Sequence, residues 1–298
     1  MTVAGFWIVI AAFCGVFGLL IGSFLNVVAY RVPAGLSIVS PPSACPRCGR
    51  AIRAYDNVPV LSWLFLRGKC RDCAEPISKR YPLVELGTGL AFVAVTAWWV
   101  IDGGLDTAAG GLLDHRSAPL SLATRPTETA IASVVVLVAF LYLAAISVVL
   151  ALIDLDVHKL PNAIVLPSYL VVGVLFAAAA ALSGDWGALL RAAVGLAGMW
   201  VFYLILALVR PGGMGFGDVK LAGVLGAYLG WLGWGPLAVG AFAGFVLGGL
   251  FAIALIVLRR AKRTSGIPFG PWMLAGAWVG IFFGAPLFSG YLTAIGLV

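Results

Sequence analysis

Two aspartates that lie far apart in the sequence could act together as a pair of carboxyl groups. Asp218 follows a glycine-rich stretch and stands where an apolar segment begins, whereas Asp154 stands at the end of a different apolar segment. A carboxylate beside lipid is costly, so its presence needs a functional or structural reason. The glycines before Asp218 allow an unusual turn and leave room for another backbone, such as an extended substrate. Gly215 and Gly217 are therefore candidate substrate-binding residues.

Paired carboxyl groups support a specific kind of acid–base chemistry. Two that lie close together resist double ionisation and tend to share one proton. One can then activate a water molecule as a base while the other donates a hydrogen bond to a carbonyl group, as in aspartic proteases. The residues alone leave two alternatives open: Asp154 and Asp218 could be unrelated helix caps, or they could serve an ion-coupled transporter. Asp156 would point away from Asp154 if the segment stays helical.

The composition places these aspartates in a membrane protein. Of the 298 residues, 62% are hydrophobic and only 10% are charged, far fewer than in a soluble protein of this length. Long continuous apolar runs predict helices and exclude a β-barrel. The sequence therefore predicts an all-α polytopic membrane protein in the lipid bilayer. The net charge of +7 is explained by basic loops, and no nucleic-acid partner is expected.

About eight transmembrane helices are expected along the chain. They cover residues 6–30, 81–101, 129–153, a fourth stretch ending near 183, then 188–209, 218–229, 236–258 and a last stretch that reaches the C-terminus. The predicted division is a first helix over 1–30, a polar loop over 31–80, a second helix with an external loop over 81–128, and a six-helix catalytic membrane core over 129–298.

The polar loop carries two Cys-x-x-Cys pairs separated by 21 residues, with sulfur ligands at Cys45, Cys48, Cys70 and Cys73. Two such pairs can complete a tetrahedral site for Zn²⁺. Two disulfides or four free thiols are the alternatives, although neighbouring basic residues indicate the cytoplasm, where disulfides are rare. Four cysteine ligands leave no open position on the metal, so the predicted zinc is structural and substitutes for a hydrophobic core.

Two polar residues in the first two helices, Asn26 and Glu85, each have two interpretations. Gly22 and Asn26 share one helix face, which is typical of close helix packing with Asn26 bonded across the interface. Alternatively, Asn26 lies near a substrate or cofactor. Glu85, near the start of the second helix, is either an interfacial residue or a polar partner inside the bundle.

The distribution of basic residues predicts the orientation. With the N-terminus outside, sixteen of the nineteen Lys and Arg residues fall on the cytoplasmic side, as the positive-inside rule requires. Both termini are then outside, while the cysteine loop, Asp154 and Asp218 lie at the cytoplasmic face.

Several motifs, in order, resemble those of the bacterial type IV prepilin peptidases, and they cover almost the whole chain. They are the first-helix motif at 22–31, the two cysteine pairs, the segment at 80–85, Asp154 followed after six residues by Pro161-Asn162, and the stretch at 215–221. The resemblance implies that Asp154 and Asp218 are the catalytic pair. Asp156 is too close to Pro161 to match the motif.

The resemblance also implies a function in the inner membrane. Family members cleave the basic leader from prepilins or pseudopilins of type IV pili and type II secretion at the cytoplasmic face. Those with a cysteine loop also methylate the new N-terminus with S-adenosylmethionine. Since no glycine-rich methyl-donor fingerprint is present, the candidate residues are only suggested: Gly22, Asn26, Pro82 and Glu85. A carboxylate-coupled transporter and a non-enzymatic zinc-knuckle assembly factor are the alternative functions.

Overall fold

Long helices form most of the structure. The computed structural model describes residues 3–101, 127–209, 214–258 and 268–297. In these ranges the helices are α1 (Val3–Arg31), α2 (Leu61–Phe65), α3 (Arg80–Ile101), α4 (Thr127–Val157), α5 (Asn162–Ser183), α6 (Trp186–Val209), α7 (Phe216–Leu232), α8 (Trp234–Val257) and α9 (Gly270–Ala294). The predicted all-α fold is confirmed for the described residues. The predicted connector over 102–128 and the basic residues 259–263 fall largely outside them.

Seven of the described helices qualify as membrane spans, against about eight expected. Among the described helices, all except α2 and α7 are long and apolar enough to cross a membrane. α7 has 17 residues, which falls just short of a typical span. Gly233, with φ 140°, separates α7 from α8, and only glycine adopts this backbone conformation readily. The chain is therefore a multi-pass membrane protein.

The chain divides into two compact units. The first comprises residues 1–100 and 141–153, and the second comprises residues 101–140 and 154–298. In the first unit, α1 packs against α3 through small residues: a Cβ added at Gly18 would lie 2.9 Å from the Cα of Gly89. Such close backbone approach is how membrane helices gain contact where lipid offers no hydrophobic driving force.

The second unit is built around α7. Every residue from Leu221 to Trp231 is buried, so α7 has protein on all sides. Glycines let α6 approach closely, since a Cβ at Gly230 would lie 2.5 Å from the carbonyl oxygen of Arg191. On another side, the Tyr228 hydroxyl donates to the carbonyl oxygen of Ala139 at 2.9 Å. These contacts fix the helix whose first turn carries Asp218.

One helix boundary differs from expectation in a way that matters for the site. The third span was expected to end at residue 153, but α4 continues to Val157. His158, at φ 52°, then ends the helix in the left-handed region. Asp154 therefore lies within the last turn of α4, where a helical backbone fixes the direction of its side chain.

Candidate active site

Asp154 is a buried carboxylate held by the start of another helix. Only 5% of the residue is exposed. Its Oδ2 accepts a hydrogen bond of 3.0 Å from the backbone N–H of Gly270, the first residue of α9. The first N–H groups of a helix have no partner within the helix and carry partial positive charge, so they suit a carboxylate. This bond fixes one oxygen of Asp154.

Asp218 is held by its own helix. It is the third residue of α7, and its Oδ2 accepts the backbone N–H of Gly215 at 3.1 Å. The backbone N–H of Asp218 in turn donates to the carbonyl oxygen of Gly215 at 3.0 Å. Asp218 thus closes the first turn of α7, as the helix-cap interpretation predicts. Capping uses one carboxylate oxygen and therefore does not exclude a chemical role for the other.

Leu160 links the surroundings of the two aspartates. A Cβ at Gly217 would lie 3.0 Å from the Cβ of Leu160, and one at Gly270 would lie 3.4 Å from its Cδ2. Leu160 thus contacts both the glycine that precedes Asp218 and the residue whose N–H holds Asp154. The structure therefore places the Asp154 and Asp218 motifs beside the same leucine, although the two aspartates are 64 positions apart in the sequence.

Asp156 is placed differently. It is exposed on α4 while Asp154 is buried, as expected for residues two positions apart on a helix. The Asp156 carboxylate is therefore not placed beside that of Asp154.

The two candidate substrate-binding glycines have different surroundings. Gly215 has φ −81°, a value open to any residue, and a Cβ there would meet only the Asp218 carboxylate at 3.5 Å and a backbone nitrogen. Gly217 instead lies tightly against Leu160. Among the described residues, a side chain at Gly215 would make only ordinary contacts, whereas at Gly217 the absence of a side chain permits the contact with Leu160. The unusual turn expected from the glycines is not found at Gly215.

A polar cross-link that the sequence analysis missed joins the two aspartate motifs. The Nζ of Lys220 donates to Oδ1 of Asn162 at 3.0 Å, and the hydroxyl of Tyr169 donates to the backbone carbonyl of Lys220. Lys220 and Asn162 both lie inside the motifs quoted above. Their position in the motifs could have identified them as candidates. Their pairing, however, depends on how α5 and α7 pack.

The four loop cysteines form a compact cluster. Their sulfurs all lie within 4.8 Å of one another, and those of Cys45 and Cys73 are 3.7 Å apart. A tetrahedral Zn²⁺ site with Zn–S bonds of about 2.3 Å places sulfurs about 3.8 Å apart. All four are free thiols, so the disulfide alternative is not found. The cluster could hold a metal ion.

Both cysteine pairs adopt the same turn. The N–H of Gly49 donates to the carbonyl of Cys45, and the N–H of Ala74 donates to that of Cys70, each at 2.9 Å. Gly49 and Ala74 have φ of 69° and 57°. An isolated antiparallel bridge closes each turn, Ala44 with Ala51 and Lys69 with Pro76. The two cysteine pairs thus adopt two copies of the same turn.

Charge also shapes the cysteine cluster. Backbone N–H groups of Cys48 and Arg47 lower the pKa of Cys45 to about 7, which favours a thiolate. The pKa of Cys73 rises to about 12, because burial and the neighbouring thiols outweigh a backbone bond from Glu75 that lowers it. Negative charge on one sulfur therefore disfavours negative charge on its neighbours. A bound cation would stabilise several thiolates at once.

Ion pairs connect the two turns. Arg47 contacts Glu75 at 2.7 Å, and Arg50 contacts Asp72 at 2.9 Å. Arg71 contacts Asp56 at 2.6 Å, and its hydrogen bonds lower the pKa of that carboxyl. The first two pairs join the cysteine turns to each other, and the third joins the second turn to the segment that follows the first.

The candidate cofactor residues meet where α1 packs on α3. A Cβ at Gly22 would lie 2.7 Å from the Cα of Glu85, and the Asn26 amide donates to the carbonyl of Tyr81 at 3.2 Å. Glu85 is 8% exposed, and its Oε2 accepts the backbone N–H of Val60 at 2.7 Å. Pro82 lies half-buried in the first turn of α3. Glu85 is therefore a buried polar partner, and Asn26 is bonded across the helix interface.

Comparisons with known proteins agree with this arrangement. Residues 16–99 match the bacterial peptidase A24 N-terminal domain, and residues 128–253 match the type IV leader peptidase family. Curated proteins from Aeromonas hydrophila and Pseudomonas putida, each called prepilin leader peptidase/N-methyltransferase, are both 34% identical to the chain. The first match covers 93% of this chain and 92% of the relative, and the second covers 94% and 93%. The chain belongs to the type IV leader peptidase family. No solved structure matches it.

Family membership confirms the resemblance drawn from the motifs. Both aspartates fall inside the region matched to the type IV leader peptidase family, and all four cysteines fall inside the A24 N-terminal region. Gly270, whose N–H holds Asp154, lies beyond the matched residues. Sequence spacing alone could not show that Gly270 reaches the aspartate.

Proposed function

We propose that this protein is a membrane aspartic endopeptidase that removes the basic leader from type IV prepilins or pseudopilins, with Asp154 and Asp218 as its catalytic pair. One observation supports the proposal: carboxylates from two distant helices lie around the same leucine, Leu160, and each has one oxygen bonded to an N–H at the start of a helix. The names of its relatives support the choice of substrate. Neither the transporter nor the assembly factor has comparable support.

In the proposed reaction the two aspartates act as one unit. One carboxylate takes a proton from the attacking water, and the other, protonated, donates a hydrogen bond to the scissile carbonyl. Because Oδ2 of each residue is bonded to backbone, Oδ1 is the oxygen that turns toward the reactants. The bonds from Gly270 and Gly215 hold the carboxylates in position before the substrate arrives.

The cleavage site lies at the cytoplasmic end of the bundle in this proposal. The sixteen-to-three division of basic residues favours external termini and an internal active site. A prepilin carries its scissile bond just before its apolar helix, so the bond reaches the membrane boundary. Gly215 is the better placed of the two glycines to accept an extended substrate backbone, since only there is side-chain space open.

We further propose that the four-cysteine cluster holds structural Zn²⁺. The 3.7 Å sulfur separation suits a tetrahedral thiolate site. Bound zinc would supply the cross-link that the loop, which has little core of its own, needs to stay folded. The residues of the loop then hold the two turns against each other and take no part in peptide hydrolysis.

N-methylation of the new amino terminus is the finer part of the proposal, with S-adenosylmethionine as the methyl donor. Glu85 is the candidate that suits such a site best, because it is a buried carboxylate with one oxygen fixed. Gly22 and Asn26 are engaged in the α1–α3 contact and would act by positioning Glu85. Pro82 would shape the first turn of α3. No nucleotide-sized cradle follows from these four residues, so no methyl-transfer step is derived from them.

Mass spectrometry of a pilin N-terminus tests the proposed activity. A candidate prepilin from the same genome is co-expressed with the protein, or with an Asp154→Asn variant at matched abundance. We expect loss of the leader mass with the unaltered protein only. A gain of one methyl mass would separately report methylation. An unprocessed prepilin in both samples, with the protein correctly inserted, would contradict the peptidase assignment for that substrate.

A further inference from the structure

The short helix α2 presents an apolar surface that the proposed peptidase activity does not use. Leu61, Leu64 and Phe65 are 51%, 56% and 82% exposed. The opposite side of α2 is packed, since Ser62 is buried and its hydroxyl donates to the carbonyl of Tyr55 at 3.1 Å. We call Leu61, Leu64 and Phe65 the α2 patch. A patch of this kind on an otherwise polar loop needs a partner.

Two hydrogen bonds tie α2 to the segment that enters the membrane as α3. The N–H of Val60, just before α2, donates to Glu85 Oε2 at 2.7 Å. The indole N–H of Trp63 donates to the carbonyl of Ile77 at 3.1 Å. Val60 has φ 61°, a strained conformation for a β-branched residue, which the surroundings must hold in place. The position of α2 relative to α3 is therefore fixed.

The depth of Glu85 in the membrane determines the depth at which α2 lies. α3 has 22 residues and is about 33 Å long, only slightly more than the roughly 30 Å hydrocarbon core. Glu85 lies five residues from the start of α3, about 7 Å along it. Leu83 and Leu86 on either side are 65% and 44% exposed, as for lipid-facing residues. Because the residue just before α2 is bonded to Glu85, α2 lies at the boundary between lipid headgroups and acyl chains.

The charges near the α2 patch favour an anionic lipid as its partner. The loop over 31–80 carries nine basic and three acidic residues. All three acids pair with arginines around the cysteine cluster. Arg67 and Lys69 follow the α2 patch directly, are exposed, and form no ion pair with a described residue. Apolar side chains flanked by unpaired basic ones are typical of segments that lie in the interface of anionic membranes.

We propose that the α2 patch inserts into the membrane interface, where Arg67 and Lys69 contact anionic lipid headgroups. The metal-binding loop would thereby dock on the bilayer through α2. This inference rests on the membrane insertion of α3 and not on the proposed peptidase activity.

Photocrosslinking in the full-length protein tests this docking. p-Benzoylphenylalanine replaces Phe65 in one sample and Ala51, exposed in the first cysteine turn, in the other. Both proteins are placed in liposomes of phosphatidylethanolamine and phosphatidylglycerol, irradiated and weighed by mass spectrometry. We expect lipid adducts at position 65 and few or none at 51. Equal adducts at both positions, or crosslinks at 65 to a prepilin or to a second copy of the chain, would overturn the proposal.

A charge-matched pair of variants tests the headgroup contact. Arg67→Gln with Lys69→Gln should lower the lipid adduct at position 65 several-fold in phosphatidylglycerol-containing liposomes. Arg47→Gln with Arg50→Gln removes the same charge from two ion pairs of the cysteine turns. Because both arginines are exposed, these pairs contribute little to stability, and the adduct should stay unchanged. Metal content confirms that each variant is folded. An adduct that is insensitive to the first pair, or equally sensitive to both, would rule out a local contact with anionic headgroups.

Discussion

The aspartate pair and the cysteine cluster are assembled by opposite means. The aspartates are brought together by helices far apart in the sequence, and each is fixed by an N–H at a helix start. The cysteines come from two short turns within one loop, joined by ion pairs such as Arg47 with Glu75. The first arrangement depends on close helix packing, and the second depends on local turns, charge and the proposed metal ion. Damage to one should therefore leave the other intact.

Removing one carboxyl group should have the largest effect on cleavage, and it tests whether the two regions are independent. Asp154→Asn and Asp218→Asn should each reduce prepilin cleavage by roughly 10²–10⁴-fold or more, because asparagine cannot cycle a proton. Metal content and membrane insertion should stay unchanged. A gel-shift assay with a prepilin in liposomes measures cleavage, and metal analysis of the same samples measures the cluster.

Asp156→Asn is the matched control for these variants. Its carboxylate is two positions from Asp154 but exposed, so cleavage should remain near normal. The assignment of the pair is wrong if Asp156→Asn behaves like Asp154→Asn, or if Asp218→Asn retains near-normal cleavage.

Removing one thiol tests the other region. Cys45→Ser should lower bound metal from about one ion per chain to near zero, since three thiolates no longer complete the tetrahedral site. The loop over 31–80 should become more sensitive to proteolysis, and protein levels should fall. Cleavage per intact molecule should change little. Cys14→Ser, which removes a buried thiol outside the cluster, should change none of these. Full metal content in Cys45→Ser would exclude the four-cysteine site.

Motifs predicted the chemistry of both regions better than they predicted the contacts. Asp154, Asp218 and the cysteines could be found because each chemical group recurs at a defined spacing. The Gly270 N–H and the contact of Leu160 with Gly217 could not, since they depend on how helices distant in sequence pack. The end of α4 was missed because an apolar run stops at residue 153 while the helical hydrogen bonding continues to Val157. Gly217 was expected to offer an open surface to a substrate, but Leu160 occupies that space.

A methyl group placed beside Asp154 should have an intermediate effect. In Gly270→Ala the new Cβ would lie 2.7 Å from Asp154 Oδ2, so the hydrogen bond must lengthen or the carboxylate must turn. A hydrogen bond to a charged group contributes about 1.5–3 kcal/mol, which predicts a loss of roughly ten- to a hundred-fold in kcat. Gly173→Ala in α5, where a Cβ meets nothing within 4 Å, is the control. Equal kinetics for the two variants would mean that the Gly270 bond does not position Asp154.

The smallest expected effect concerns the link between the two aspartate motifs. Lys220→Met and Asn162→Leu each remove the 3.0 Å bond between them. A partly exposed hydrogen bond contributes about 0.5–1.5 kcal/mol, so each variant should lower kcat by roughly two- to ten-fold. The double variant should be no worse than the more affected single one, because both remove the same contact. Additive losses would show that the residues act separately.

The burial of α7 limits the direction from which a substrate can arrive. From Leu221 to Trp231 the helix has no side open to lipid, so a substrate helix cannot slide along it. The open part is its first turn, where Phe216 is 64% exposed two residues before Asp218. For the proposed peptidase, a prepilin would therefore meet the enzyme end-on, at one level of the bilayer. The depth of the scissile bond in the bilayer would then determine where cleavage occurs. The sequence of the substrate's apolar helix could therefore vary widely.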